Sequence, residues 1–97
     1  MLKKNYSKTG RSCRVTFKVD DINGDSVAVL GEWNSWDESS NPLKKRKDGT
    51  FSTTVSLEAG RDYRFRYLVD GEHWINEVES DSEVVNNFGT TDCVVAV

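Results

Sequence analysis

Tryptophan is the residue type in this chain whose placement most needs a chemical explanation. Three occur in 97 residues, and two of them, Trp36 and Trp74, stand in polar, turn-like surroundings rather than in apolar runs. Trp36 closes the stretch Gly31-Glu32-Trp33-Asn34-Ser35-Trp36, and Trp74 ends Val69-Asp70-Gly71-Glu72-His73-Trp74. A flat apolar ring bordered by hydrogen-bonding groups suits a pyranose, which has an apolar C–H face and a polar hydroxyl edge. The first expectation is therefore a sugar-binding surface.

Other chemistries find less support. Glycoside hydrolysis needs two carboxylates flanking one sugar, and nothing in the sequence marks two acids as buried and facing each other. The one histidine, His73, sits at a hairpin exit with no motif for base, nucleophile or metal work. We expect no enzyme activity, no catalytic residue, no cofactor and no metal. Glu77, Glu79, Asp81 and Glu83 alternate through a polar stretch, but their spacing matches no calcium loop and no glycine supplies its sharp turn. Cys13 and Cys93 lie near opposite ends of the chain, without the short spacing of a zinc or redox pair. They read as reduced, buried thiols, with a disulfide open if the first and last strands are neighbours.

A net charge of −3 argues against nucleic acid as a partner. The most basic run, Lys44-Lys45-Arg46-Lys47, lacks interleaved aromatics and reads as a solvated edge strand whose lysines discourage edge-to-edge pairing. No apolar run approaches the length of a membrane span, so no membrane partner is expected. The start, Met1 to Lys8, is basic without the apolar stretch of a secretory signal, and the expected location is cytoplasmic.

The elements that must position the tryptophans are short strands. Cys13, Val15, Phe17 and Val19 alternate with polar residues, as do Phe51, Val55 and Leu57, and as do Tyr63, Phe65, Tyr67 and Val69. Val27 to Leu30 is an apolar run suited to a strand covered on both sides. Pro42 begins a short exposed strand, His73-Trp74-Ile75 returns briefly after the Asp-Gly turn, and Cys93 to Val97 closes the domain. Asn76 to Asn87 reads as a long polar loop. The pattern predicts an all-β, antiparallel, immunoglobulin-like sandwich of about seven short strands. One domain is expected over residues 11–97, after a flexible leader over residues 1–10.

Three segments in this order, Leu30-Gly31-Glu32-Trp33-Asn34-Ser35-Trp36, Phe65-Arg66-Tyr67-Leu68-Val69-Asp70-Gly71 and Phe88-Gly89-Thr90, carry a resemblance. From about Val15 onward the chain resembles the glycogen-binding domain of the AMP-activated protein kinase β subunit. The same family, carbohydrate-binding module family 48, includes N-terminal domains of isoamylases and glycogen-branching enzymes. The resemblance implies a partner, an α-1,4-linked glucan, and two tryptophans that stack on successive glucose rings, at Trp36 and Trp74. It places the family's lysine at Arg66, its leucine at Phe88, its threonine at Thr90 and its asparagine at Asp92. Trp33, in a position usually phenylalanine, is expected in the core. Catalysis in the family belongs to a separate barrel domain, for which this chain has no room. The alternative is a protein-interaction module of the same fold that docks on a glucan-processing enzyme or regulator. A third reading is a domain detached from a longer glucan-processing enzyme.

Overall fold

The structure, a computed structural model, describes residues 1–97. Two antiparallel sheets pack face to face as a sandwich. The first has the order β1 (Leu2–Tyr6), β2 (Ser12–Val19), β5 (Phe51–Glu58) and β4 (Lys44–Lys45). The second runs β3 (Val27–Gly31), β6 (Asp62–Val69), β9 (Thr91–Ala96) and β8 (Ser82–Val85), with β7 (His73–Ile75) also paired to β6. No helix of the chain is long and apolar enough to cross a membrane.

Period-two alternation explains which residues meet between the sheets. Val15, Phe17, Val55 and Leu57 point inward from one sheet, and Val29, Phe65, Tyr67 and Val95 from the other, within a core cluster of 15 buried residues. Both cysteines lie in that cluster, one on each sheet, and both are free thiols. Leu30, Leu68 and Val94 are buried too but lie outside the inter-sheet cluster, on the outer face of the second sheet. That face is therefore partly covered, and the covering segments build the site described below.

Nine strands form rather than about seven, and both additions are edge strands. The expected flexible leader over residues 1–10 is corrected over Leu2–Tyr6, which pairs along β2 from Leu2 opposite Phe17 to Tyr6 opposite Cys13. Its inward positions, Leu2, Lys4 and Tyr6, include only one aliphatic side chain, so alternation was faint in the sequence. Lys4 reaches Asp81 at 2.8 Å, and the Tyr6 hydroxyl donates to the Val97 carbonyl at 3.2 Å. The long polar loop expected from Asn76 to Asn87 is likewise corrected over Ser82–Val85, which pairs with β9. An edge strand needs one hydrogen-bonded neighbour and no apolar face, and β8 has little of the latter.

The acids of that stretch diverge. Glu77 is 3% exposed and turns inward, accepting from the Tyr67 hydroxyl at 2.8 Å. Burial, followed by the Glu77 charge, pushes the Tyr67 phenol far above its ordinary value, so it remains a donor. Asp81 instead accepts from Lys4 and from the Ala96 N–H. Lys44 and Lys45 form the edge strand β4, paired with Ser52 and Phe51.

Candidate functional site

Strand β6 is the axis of the site. One of its edges pairs with β3, from Val27 opposite Val69 to Gly31 opposite Phe65. The other edge is shared: β9 covers Asp62 to Phe65 and β7 covers Tyr67 to Val69, leaving Arg66 at the handover. Asn76 closes that gap. Its Oδ1 accepts from Arg66 Nε at 2.8 Å, and its Nδ2 donates to the Thr91 carbonyl at 2.9 Å, tying the end of β7 to the start of β9. The Arg66 guanidinium carbon also lies 5.3 Å from the centre of the Trp74 ring. A planar cation at that distance is attracted to the indole face, so Arg66 props Trp74 from one side.

Trp74 reaches the site on a tight hairpin. Asp70 and Gly71 have φ of 52° and 69°, the positive values that both central residues of a type I′ turn need. The Glu72 N–H donates to the Val69 carbonyl at 3.0 Å. Asp70 also fastens the hairpin sideways, accepting from the N–H groups of Asp25 at 2.8 Å and Ser26 at 2.9 Å. Those bonds, that of Ser26 first, hold its carboxyl below the usual 3.8.

Trp36 arrives on a different device. After β3 the chain makes one 3-10 turn, Glu32–Asn34, and then Ser35 and Trp36 both adopt positive φ, 55° and 60°. A bulky residue there is strained by roughly 1–2 kcal/mol. Asn34 holds it in place. Its Oδ1 accepts from the Gly31 and Trp36 N–H groups at 3.0 and 3.1 Å, and its Nδ2 donates to the Val29 carbonyl and Asn41 Oδ1. Trp33 pins the same loop to the core. Its ring stacks on Phe17 with centroids 5.4 Å apart, and its Nε1 donates to Asn41 Oδ1 at 3.0 Å. Gly31 makes the close approach feasible, because a Cβ there would sit 2.4 Å from Trp33 Cζ3 and 2.7 Å from the Arg64 carbonyl oxygen.

A third loop, between β8 and β9, brings Phe88 and Thr90, and Asp92 follows near the start of β9. Phe88 is 91% exposed at its tip, whereas Asp92 is 6% exposed at its base. Asn86 organises this loop, with its Oδ1 accepting from the Phe88 and Thr90 N–H groups at 2.9 and 3.2 Å.

Together these segments enclose an open cleft of about 650 Å³, and Trp36, Arg66, Trp74, Phe88, Thr90 and Asp92 all border it. Sequence reasoning missed four further lining residues, Glu32, Arg64, Asn86 and Asn87. Asn86 had a signal that went unused: an asparagine two residues before a Phe-Gly tip is placed to cap its own turn. Glu32 had none, since its Oε1 accepts from the Arg64 N–H at 2.7 Å, far away in the chain. The cleft carries two arginines and two carboxylates, Arg64 and Arg66 against Glu32 and Asp92. These charges balance, which suits a neutral polar ligand better than an ion.

A β-sandwich with aromatic rings around an open, charge-balanced cleft on one sheet has the build of a carbohydrate-binding module. Residues 13–97 match the family described as the glycogen recognition site of AMP-activated protein kinase, and the chain belongs to that family. It is also similar to two 1,4-alpha-glucan branching enzymes. With that of Prochlorococcus marinus (strain MIT 9211) it shares 31% identity over 70 residues, covering 71% of this chain and 9% of the enzyme. With that of Aquifex aeolicus (strain VF5) it shares 31% over 64 residues, 63% of this chain and 10% of the enzyme. The chain thus spans about a tenth of the length of these relatives.

Proposed function

We propose that this protein is a non-catalytic α-glucan-binding module in which Trp36 and Trp74 stack on glucose units of an α-1,4-linked chain. Arg66, Thr90 and Asp92 would bond the sugar hydroxyls, and Phe88 would lie against the chain from the loop tip. The observation that carries this reading is convergence: Trp36 from the loop after β3, Arg66 and Trp74 from β6 and β7, and Phe88, Thr90 and Asp92 from the β8–β9 loop and the start of β9 all border one cleft. Arg66 occupies one side of Trp74, so a sugar would use the ring's other face. The branching enzymes the chain matches act on 1,4-alpha-glucan. Beside such an enzyme, or a regulator in the cytoplasm, the module would hold its partner on the polymer.

Native affinity electrophoresis with and without glycogen tests this. Glycogen should retard the wild type, and Trp36→Ala and Trp74→Ala should each relieve the retardation without unfolding the domain. Each ring is worth on the order of 1 kcal/mol, about fivefold in affinity. One observation favours the competing reading of a protein-docking surface, namely the outward projection of Phe88. A folded wild type that glycogen does not retard would sink the glucan reading and leave that one.

A further inference from the structure

Asn86 does more than shape its loop. Besides receiving two backbone N–H bonds on Oδ1, it donates from Nδ2 to Thr90 Oγ1 at 2.7 Å and to Asp92 Oδ1 at 3.1 Å. The two backbone N–H groups can only meet the amide oxygen, so the orientation of this side chain is fixed. Fixing it has a chemical consequence for both neighbours. The Thr90 oxygen is already an acceptor, and its own hydrogen has no acceptor within the chain. That hydrogen is therefore free to be given outward. Asp92 has one oxygen engaged by Nδ2 and the other left to accept.

We propose that Asn86 sets the hydrogen-bond polarity of the cleft, making Thr90 a donor and Asp92 an acceptor toward one vicinal pair of hydroxyls on a glucose unit. This rests on the α-glucan reading above and deepens it. A vicinal diol is matched by such a pair because each hydroxyl both gives and receives. A carboxylate at Asp92 only accepts, so the donor half of the pair falls to Thr90, whose hydrogen the bond from Asn86 leaves free to point outward. Asn86 is thus a positioning residue, acting on the sugar through Thr90 and Asp92. Charged groups around the pair are Arg64 and Arg66 of β6 and Glu32 on the loop after β3. From β8, Val84 opposes Asp92 and does not titrate.

The test compares Asn86→Ala with Asn86→Asp by calorimetric titration with a linear α-1,4-linked maltooligosaccharide, between about pH 4.5 and 7.5. Asn86→Ala removes the donor and adds no charge, so affinity should fall about tenfold at every pH relative to wild type. Asn86→Asp places two carboxylates in contact. At neutral pH they repel and binding should be at least as weak as in Asn86→Ala. As pH falls, one of the pair takes up a proton that the other shares, the missing donor returns, and affinity should recover about tenfold. Parallel curves for the two variants would overturn the proposal, because a purely structural loss has no reason to reverse with protonation. Failure of the wild type to bind would instead overturn the glucan reading. The Asn86–Asp92 contact is then still read from side-chain carboxyl NMR of unliganded Asn86→Asp. One raised pKa in the pair supports it, and two ordinary values overturn it.

Discussion

Two loops of this domain are built on the same device and differ in where it is anchored. Asn34 and Asn86 each accept two backbone N–H bonds on Oδ1 and donate two from Nδ2. The donations of Asn34 go to scaffold, the Val29 carbonyl and Asn41. Those of Asn86 go to Thr90 and Asp92, which border the cleft. Trp33 further clamps the first loop to Phe17, while the second ends in the exposed ring of Phe88 with nothing comparable beneath it. One loop belongs to the core and presents Trp36 from a rigid base. The other belongs to the surface and is organised around two side chains that border the cleft. Equal hydrogen-bond inventories should therefore carry unequal stability, because what they hold together differs.

The clamp of Trp33 on Phe17 should carry the largest share of the first loop's stability. Trp33→Ala should cost about 3 kcal/mol in urea unfolding, as the ring leaves Phe17 and a cavity remains. A loss well under 1 kcal/mol would mean that the first loop is no better anchored than the second. Next in size is Asn34→Ala, which leaves half-buried N–H and C=O groups unsatisfied and should cost about 2 kcal/mol. The matching Asn86→Ala should cost less than about 1 kcal/mol, because Phe88 and Thr90 are exposed and meet water, and of its partners Asp92 alone is buried. Equal losses from the two asparagines would erase the distinction.

Gly31→Ala sharpens the same contrast. Its new methyl must displace the Trp33 ring or the Arg64 backbone, and about 1–2 kcal/mol of stability should go with a loss of Trp36-dependent glycogen retention. Phe88→Ala, at the other extreme, should leave the urea midpoint unchanged within about 0.5 kcal/mol, and affect only glucan retention.

The smallest effect concerns the hairpin that carries Trp74. The Asp70 carboxyl is held below its ordinary 3.8 by the Ser26 and Asp25 N–H groups. A depressed folded-state pKa stabilises above the unfolded value and is lost as pH falls through the folded one. Wild type should therefore lose stability below 3.8 through this group. Asp70→Asn keeps an acceptor and positive φ at the turn but cannot titrate, and should show a shallower acid loss. Identical acid profiles would remove Asp70 from the account.

Much of this was legible in residue order because its causes are local. Alternation along β2, β5 and β6 gave the inward faces, and the Asp-Gly pair gave the hairpin that turns Trp74 outward. The three quoted segments gave the family, and the resemblance they carry led to six of the ten residues that border the cleft. The edges β1 and β8 were not legible, since an edge strand held by backbone bonds needs no alternating buried face, and β8 has none. Nor were the groups that connect distant segments: Glu32 on Arg64, Asn76 between β7 and β9, Asn86 beneath Thr90 and Asp92. Side-chain type and spacing by themselves determined a sandwich, the loop that carries Trp36 and the hairpin that carries Trp74. Only the tertiary structure decided which of their neighbours point into one cleft, because a hydrogen bond between residues far apart in sequence exists only once the sheets have brought them within 3 Å or so.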